Sequence, residues 1–158
     1  MTAFLFNVVI AVLWLLLNRT PSAMGFGIGF AIGFVLVAAF RSVIGGEAYV
    51  RRSFAFVRFV LLFFREFVLA NIKVAGVVLF RSRKSLHPNF ITYDVAGMTR
   101  AEILLISYCI TLTPGTTTIE ITPDFNTLIV HALEAEQPDQ IRKDVDQTLK
   151  KSIFAFTR

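Results

Sequence analysis

The sequence predicts a membrane α-helical hairpin, then an amphipathic interfacial or third transmembrane helix, then a small cytoplasmic α+β domain of order β-α-β-β-α. Three observations carry this expectation. Between residues 1 and 40 the only charged residue is Arg19, in a short break between apolar runs at 3–17 and 22–40. Charges then recur at seven- or eight-residue intervals from Arg51 to Lys73 within an otherwise apolar stretch. From about residue 86 the pattern changes to β-branched runs, turn residues and a capping box.

At about 1.5 Å per residue the two apolar runs would reach roughly 22 and 28 Å as helices, enough for a tight hairpin across a bilayer thinned around the first. Asn18, Arg19, Thr20 and Pro21 supply its turn, and Trp14 suits an interfacial aromatic. Gly25, Gly29 and Gly33 fall on one helical face at four-residue spacing. Small residues there let a second helix approach closely, so this face is expected to pack. The first run lacks a positive n-region and an A-x-A-like site, and a second run follows at once. It therefore reads as a retained span rather than a cleaved signal.

The chain has 158 residues, 55% of them hydrophobic, and a mean hydropathy of +0.66, which suits a membrane segment joined to one small domain. Its net charge of +5 is unevenly placed. Residues 41–84 carry nine Lys or Arg against Glu47 and Glu66, whereas residues 85–158 carry six against nine acids. Basicity is thus a property of the segment beside the membrane, where it meets anionic lipids. Nucleic-acid binding would need a basic face on the folded domain, and the tail is acidic. With Cys109 alone, no intrachain disulfide forms and a buried thiol is expected.

Arg41, Arg51 and Arg52 precede the middle segment, and Arg81, Arg83 and Lys84 follow it. The positive-inside rule places both clusters in the cytoplasm, so the stretch between them does not cross. Arg51, Arg58, Arg65, Glu66 and Lys73 would fall within an arc of about 100°, opposite Phe, Leu and Val. Such a helix lies in the membrane interface or turns its basic stripe to a partner. If it crosses instead, those residues face neighbouring helices, and Glu66 and Lys73 could join a proton or cation path. The division expected is 1–40 for the hairpin, 41–85 for the basic linker and middle helix, and 86–158 for the domain.

In that domain residues 90–93 form a short strand, and Thr99, Arg100, Ala101 and Glu102 open a core helix to about Leu112. Ten apolar residues are too few to span a bilayer. Two strands follow at 116–122 and 127–133, joined by a Pro123-Asp124-Phe125-Asn126 turn. Pro138 begins an amphipathic helix with Ile141, Val145, Leu149 and Ile153 on one stripe. At the junction of helix and strand, Pro114 disfavours helical geometry at Thr113 and Gly115 can take positive φ, which forces an abrupt reversal.

The run Ile110-Thr111-Leu112-Thr113-Pro114-Gly115-Thr116, the Thr118 to Ile121 strand and Leu128-Ile129-Val130-His131-Ala132-Leu133 resemble the E subunit of Mrp-type (Mnh/Pha) multisubunit Na+/H+ antiporters. Glu66-Phe67 and Asn71-Ile72-Lys73-Val74-Ala75 resemble that family's third hydrophobic segment. Asn7, a polar residue in the first run, matches no family feature. The resemblance implies an accessory subunit of a prokaryotic inner-membrane complex whose large, complex I-like subunits carry the principal proton pathway. It also implies functional sensitivity at Thr113, Pro114 and Gly115, through the shape and docking of the domain.

No G-x-S-x-G, phosphate-loop or metal-spaced Cys/His pattern occurs, so no catalytic residue, cofactor site or metal site is expected. His131 has no second histidine or carboxylate beside it in the strand, and His87 falls in a linker. The apolar runs contain no Asp, Glu, Lys or His to relay protons. The expected function is therefore accessory. The alternative is a membrane-anchored small α/β binding or sensing module.

Overall fold

The computed structural model describes residues 2–18, 21–80 and 86–158. Arg19 and Thr20 of the expected turn, and Arg81, Arg83 and Lys84 of the second basic cluster, lie outside the described residues. The chain forms two compact units, Met1–Ala55 and Phe56–Arg158.

The first unit contains α1 (Thr2–Leu17), α2 (Ala23–Ala39), the short α3 (Arg41–Ile44) and the start of α4 (Glu47–Phe80). Asn18 closes α1 by donating to the Trp14 carbonyl at 2.7 Å, and Ser22 caps α2 by accepting from the Gly25 amide at 3.0 Å. α1 and α2 pack closely as a helical hairpin. A Cβ on Gly29 would stand 2.8 Å from the Trp14 Cβ, and one on Gly33 would collide with the Asn7 Oδ1. Gly25 is looser, with the Leu15 side chain 3.6 Å from its Cβ position. Phe34 and Tyr49 stack edge to face at 5.9 Å beside this contact.

None of the described helices is long and apolar enough to cross a membrane. α1 and α2 have sixteen and seventeen residues, short of the about 20 that span a typical hydrocarbon core. α4 has 34 residues, but charges interrupt it throughout.

The second unit holds the rest of α4 with β1 (Asn89–Asp94), α5 (Arg100–Leu112), β2 (Thr116–Ile121), β3 (Thr127–Ala132), α6 (Pro138–Val145) and α7 (Lys151–Thr157). α6 runs into α7 through a π turn, Asp146–Lys150. The strands form one antiparallel sheet in the order β1-β3-β2. Leu128, Val130 and Ala132 alternate inward along β3 against Ile91 and Tyr93 of β1. Ile103, Ile106 and Ile110 of α5, and Leu149 and Ile153 from the last helices, cover that face. Phe59 of α4 belongs to the same core and touches the Phe156 ring at 5.3 Å. The second compact unit thus takes in α4 from Phe56 onward.

The β1 edge is closed by cations. Arg142 donates to the Thr92 carbonyl at 2.8 Å and Lys150 to that of Asp94 at 3.4 Å, which occupies carbonyls that a further strand would otherwise pair with.

The hairpin packing predicts unequal effects at two glycines. Gly33→Val should destabilise the detergent-solubilised chain by about 1–3 kcal/mol through overpacking. Gly27→Val, whose Cβ would meet nothing within 4 Å, should leave it near wild type in the same thermal unfolding measurement. Equal losses would contradict the packing.

Candidate functional site

Thr113 ends α5, its amide reaching the Cys109 and Ile110 carbonyls at 3.2 and 3.1 Å and its hydroxyl donating to Cys109 at 2.8 Å. The Thr116 amide then donates to the Thr113 carbonyl at 3.2 Å. Pro114 in the second position and Gly115 at φ +92° in the third give this turn the type II pattern. The Thr116 hydroxyl donates to Ile110 at 2.8 Å and Thr113 at 3.0 Å, so the reversal is held from both sides. Gly115 also accepts from the Leu133 amide at 2.8 Å. A Cβ there would lie 3.3 Å from a Val74 methyl of α4. The turn thus sits directly against the middle helix.

α4 presents three faces. With 3.6 residues per turn and Arg58 set at 0°, Arg51, Arg65, Lys73 and Glu66 fall between about −20° and 80°. Phe59, Phe63, Ala70, Val74 and Phe67 fall between about 100° and 180°. Phe59 and Phe63 pack into the domain core, Ala70 lines a cavity beside it, and Val74 meets Gly115. Between about 240° and 320° lie Phe64, Val57, Val68, Leu61 and Ile72, all solvent-exposed, with Leu61 at 66% and Phe64 at 64%. The apolar side expected opposite the charges is divided: half meets the domain and half is bare.

Of the charged residues, Arg51, Arg58, Arg65 and Lys73 are exposed. Glu66 is half-buried and accepts from Arg65 at 2.7 Å. Glu66 and Lys73 help line a cavity of about 190 Å³ between α4 and the sheet, together with Thr113, Thr116, Arg142 and Thr148. The fold thus brings Thr113, Glu66 and Lys73 around one cavity, while Gly25, Gly29 and Gly33 belong to the other unit. His131 stacks edge-on against Phe90 at 5.2 Å. Among the described residues no group of three His, Cys, Asp or Glu could hold a metal.

Sequence reasoning named two polar residues, Asn7 and Glu102, without foreseeing their distant partners. Asn7 is fully buried, donates to the Tyr49 hydroxyl at 2.8 Å, and leaves its Oδ1 without a hydrogen bond beside Gly33. The only signal was its polarity in an apolar run. Glu102 was legible as half of a capping box, and it does accept from the Thr99 amide at 2.8 Å. It also accepts from the Thr157 hydroxyl at 2.6 Å and pairs with Arg158 at 3.3 Å. Burial alone would raise its pKa, but the bonds from Arg158, Thr157 and Thr99 outweigh this and hold it down at about 2. Burial pushes the Cys109 thiol up to about 11, which keeps it protonated and unreactive.

The family model MNHE, described as a Na+/H+ ion antiporter subunit, matches residues 7–155. The chain belongs to the E-subunit family of Na+/H+ antiporters. The Na+/H+ antiporter E subunit of Alkalihalophilus pseudofirmus is 29% identical over 154 residues, covering 98% of this chain and 97% of that protein. The E1 subunit of Staphylococcus aureus is 30% identical over 147 residues, or 93% and 92%. Among solved structures, a chain of the Mrp complex from Dietzia sp. DQ12-45-1b has a TM-score of 0.50 at 24% identity, over 65% of this protein and 96% of that chain. A chain of the membrane-bound sulfane sulfur reductase, an archaeal respiratory membrane complex, has a TM-score of 0.55 at 17% identity, over 97% and 98%. At these identities the likeness to both establishes the fold.

The turn yields a graded expectation. Gly115→Ala places a side chain at positive φ against Val74 and should cost about 1–2 kcal/mol. Pro114→Ala leaves the turn's hydrogen bonds available and should cost under about 1 kcal/mol. Denaturant unfolding of the purified protein checks the order, and a larger loss for Pro114→Ala would contradict it.

Proposed function

We propose that this chain is an accessory, non-catalytic subunit of a multisubunit Na+/H+ antiporter in the prokaryotic inner membrane, needed for the assembly and activity of the complex. The observation that carries this reading is the family match over residues 7–155, which takes in hairpin, middle helix and domain alike. Its partners would be the other subunits, including large complex I-like membrane subunits, together with anionic lipids.

The hairpin would lie in the bilayer. α1 and α2 contain no Asp, Glu, Lys, Arg or His, and their lengths of about 24 and 26 Å suit a locally thinned membrane. They offer no group to relay a proton, so ion transfer would rest with the larger subunits. The exposed face of α4 centres near 260–280°, roughly opposite the middle of the charged and domain-bearing faces taken together. That arrangement favours a helix lying along the cytoplasmic interface over a third span, with the domain on the cytoplasmic side. Thr113, Pro114 and Gly115 would act by holding the domain against α4, and through it in register with the partner subunits.

A second reading, a membrane-anchored binding or sensing module, would draw on the cavity between α4 and the sheet. Deleting this chain from cells that express the rest of the complex separates the two. In everted vesicles Na+-driven pH change should fall to the background of vesicles without the antiporter, and the remaining subunits should not co-purify as a complete assembly. Undiminished exchange with intact assembly would defeat the accessory role and leave the sensing module.

A further inference from the structure

The first unit carries a concave feature that the turn, the cavity and the faces of α4 leave unused. Between α3 and the first turns of α4 lies a cleft of about 910 Å³, lined by Arg41, Ser42, Glu47, Ala48, Arg51 and Phe54 among others. Gly45, in the left-handed conformation at φ +68°, ends α3 and turns the chain straight into α4. Glu47 and Ala48, in the first turn of the 34-residue α4, line the cleft as well.

Arg41 and Arg51 have no ion pair or side-chain hydrogen bond among the described residues. A guanidinium presents paired N–H donors that match phosphate oxygens. With Glu47 as the opposing charge, the lining carries a net charge of +1. That balance suits a singly charged phosphodiester better than a free phosphate, which carries more than one negative charge on average near neutral pH. Phe54 of the lining is exposed, and so are Phe40 and Val43, the chain neighbours of Arg41 and Ser42, apolar surface that a free phosphate would not use.

We infer that this cleft seats the phosphodiester of an anionic phospholipid, gripped by Arg41 and Arg51, with its glycerol and upper acyl chain against Phe40, Val43 and Phe54. The inference rests on the membrane reading proposed above and assigns that reading's lipid contact to particular side chains.

Native mass spectrometry of the full chain in detergent, with phosphatidylglycerol, phosphatidylcholine or inorganic phosphate added, tests it. Phosphatidylglycerol should be retained in preference to phosphatidylcholine. Arg41→Gln with Arg51→Gln should lower retention about tenfold, the equivalent of one lost charge-assisted contact. Arg58→Gln with Arg65→Gln, on α4 outside the cleft, should lower it less than about twofold. Equal losses from the two pairs, or equal retention of the two lipids, would overturn the site as diffuse attraction. Displacement of phosphatidylglycerol by millimolar inorganic phosphate would overturn the lipid assignment in favour of a free anion. Extraction of the wild-type chain from membranes by alkaline carbonate would instead sink the membrane reading. Retention there by the Arg41→Gln/Arg51→Gln chain, with its lipid lost, supports the cleft.

Discussion

The burial of one aromatic stripe of α4 in the second unit is the contact on which the rest depends. Phe59 and Phe63 join the sheet's core, and Val74 lies against the Gly115 turn. Removing a buried aromatic of this kind costs about 3–5 kcal/mol, a large part of what a domain of this size commonly has. Once that stripe is fixed, the rotation of the helix is fixed too. Arg58 and Arg65 must then project to one side and Leu61, Phe64 and Val68 to another. The helix cannot be turned to suit a different environment without emptying the core.

The second unit manages its polar groups locally. Thr113 and Thr116 satisfy carbonyls at the end of α5, and Arg142 and Lys150 cover the β1 edge. Glu102 ties the start of α5 to Thr157 and Arg158. Tyr93 donates to Asp146 at 2.7 Å, at the start of the π turn; burial first, and then this hydrogen bond, push that phenol's pKa well up. The first unit is different. Its α1–α2 contact is apolar apart from Asn7, whose unpaired Oδ1 is a destabilising feature that only the bond to Tyr49 offsets.

Much of this was legible in residue order. The capping box at Thr99 and Glu102 fixed where α5 begins, and the Thr113-Pro114-Gly115 run fixed where it ends. β-branched alternation located β2 and β3 within a residue or two. What was hidden required contacts between distant positions. Periodicity placed Phe59 and Phe64 on one broad apolar side, and only the packed sheet separates them. The Glu102–Thr157 bond joins residues 55 apart in the chain, and no local pattern announces it. The glycine spacing in α2 indicated a packing face without naming its partner, because small residues say only that something comes near. The π turn at Asp146–Lys150 interrupts a stripe that reads as one continuous helix. Family membership was legible because its signature lies in a contiguous motif.

We propose that α4 rests along a membrane surface with its bare face inward and its aromatic face held by the domain. Nitroxide labels on cysteines placed singly from Val57 to Ile72, with the chain in lipid nanodiscs, test it through their accessibility to oxygen and to a polar relaxation agent. Oxygen accessibility should peak with helical period at Val57, Leu61, Phe64, Val68 and Ile72. The polar agent should reach Arg58 and Arg65, and neither agent should reach Phe59 or Phe63. A smooth rise and fall of oxygen accessibility along the helix, the same on every face and deepest near its middle, would mean that the segment crosses the bilayer and would contradict the account.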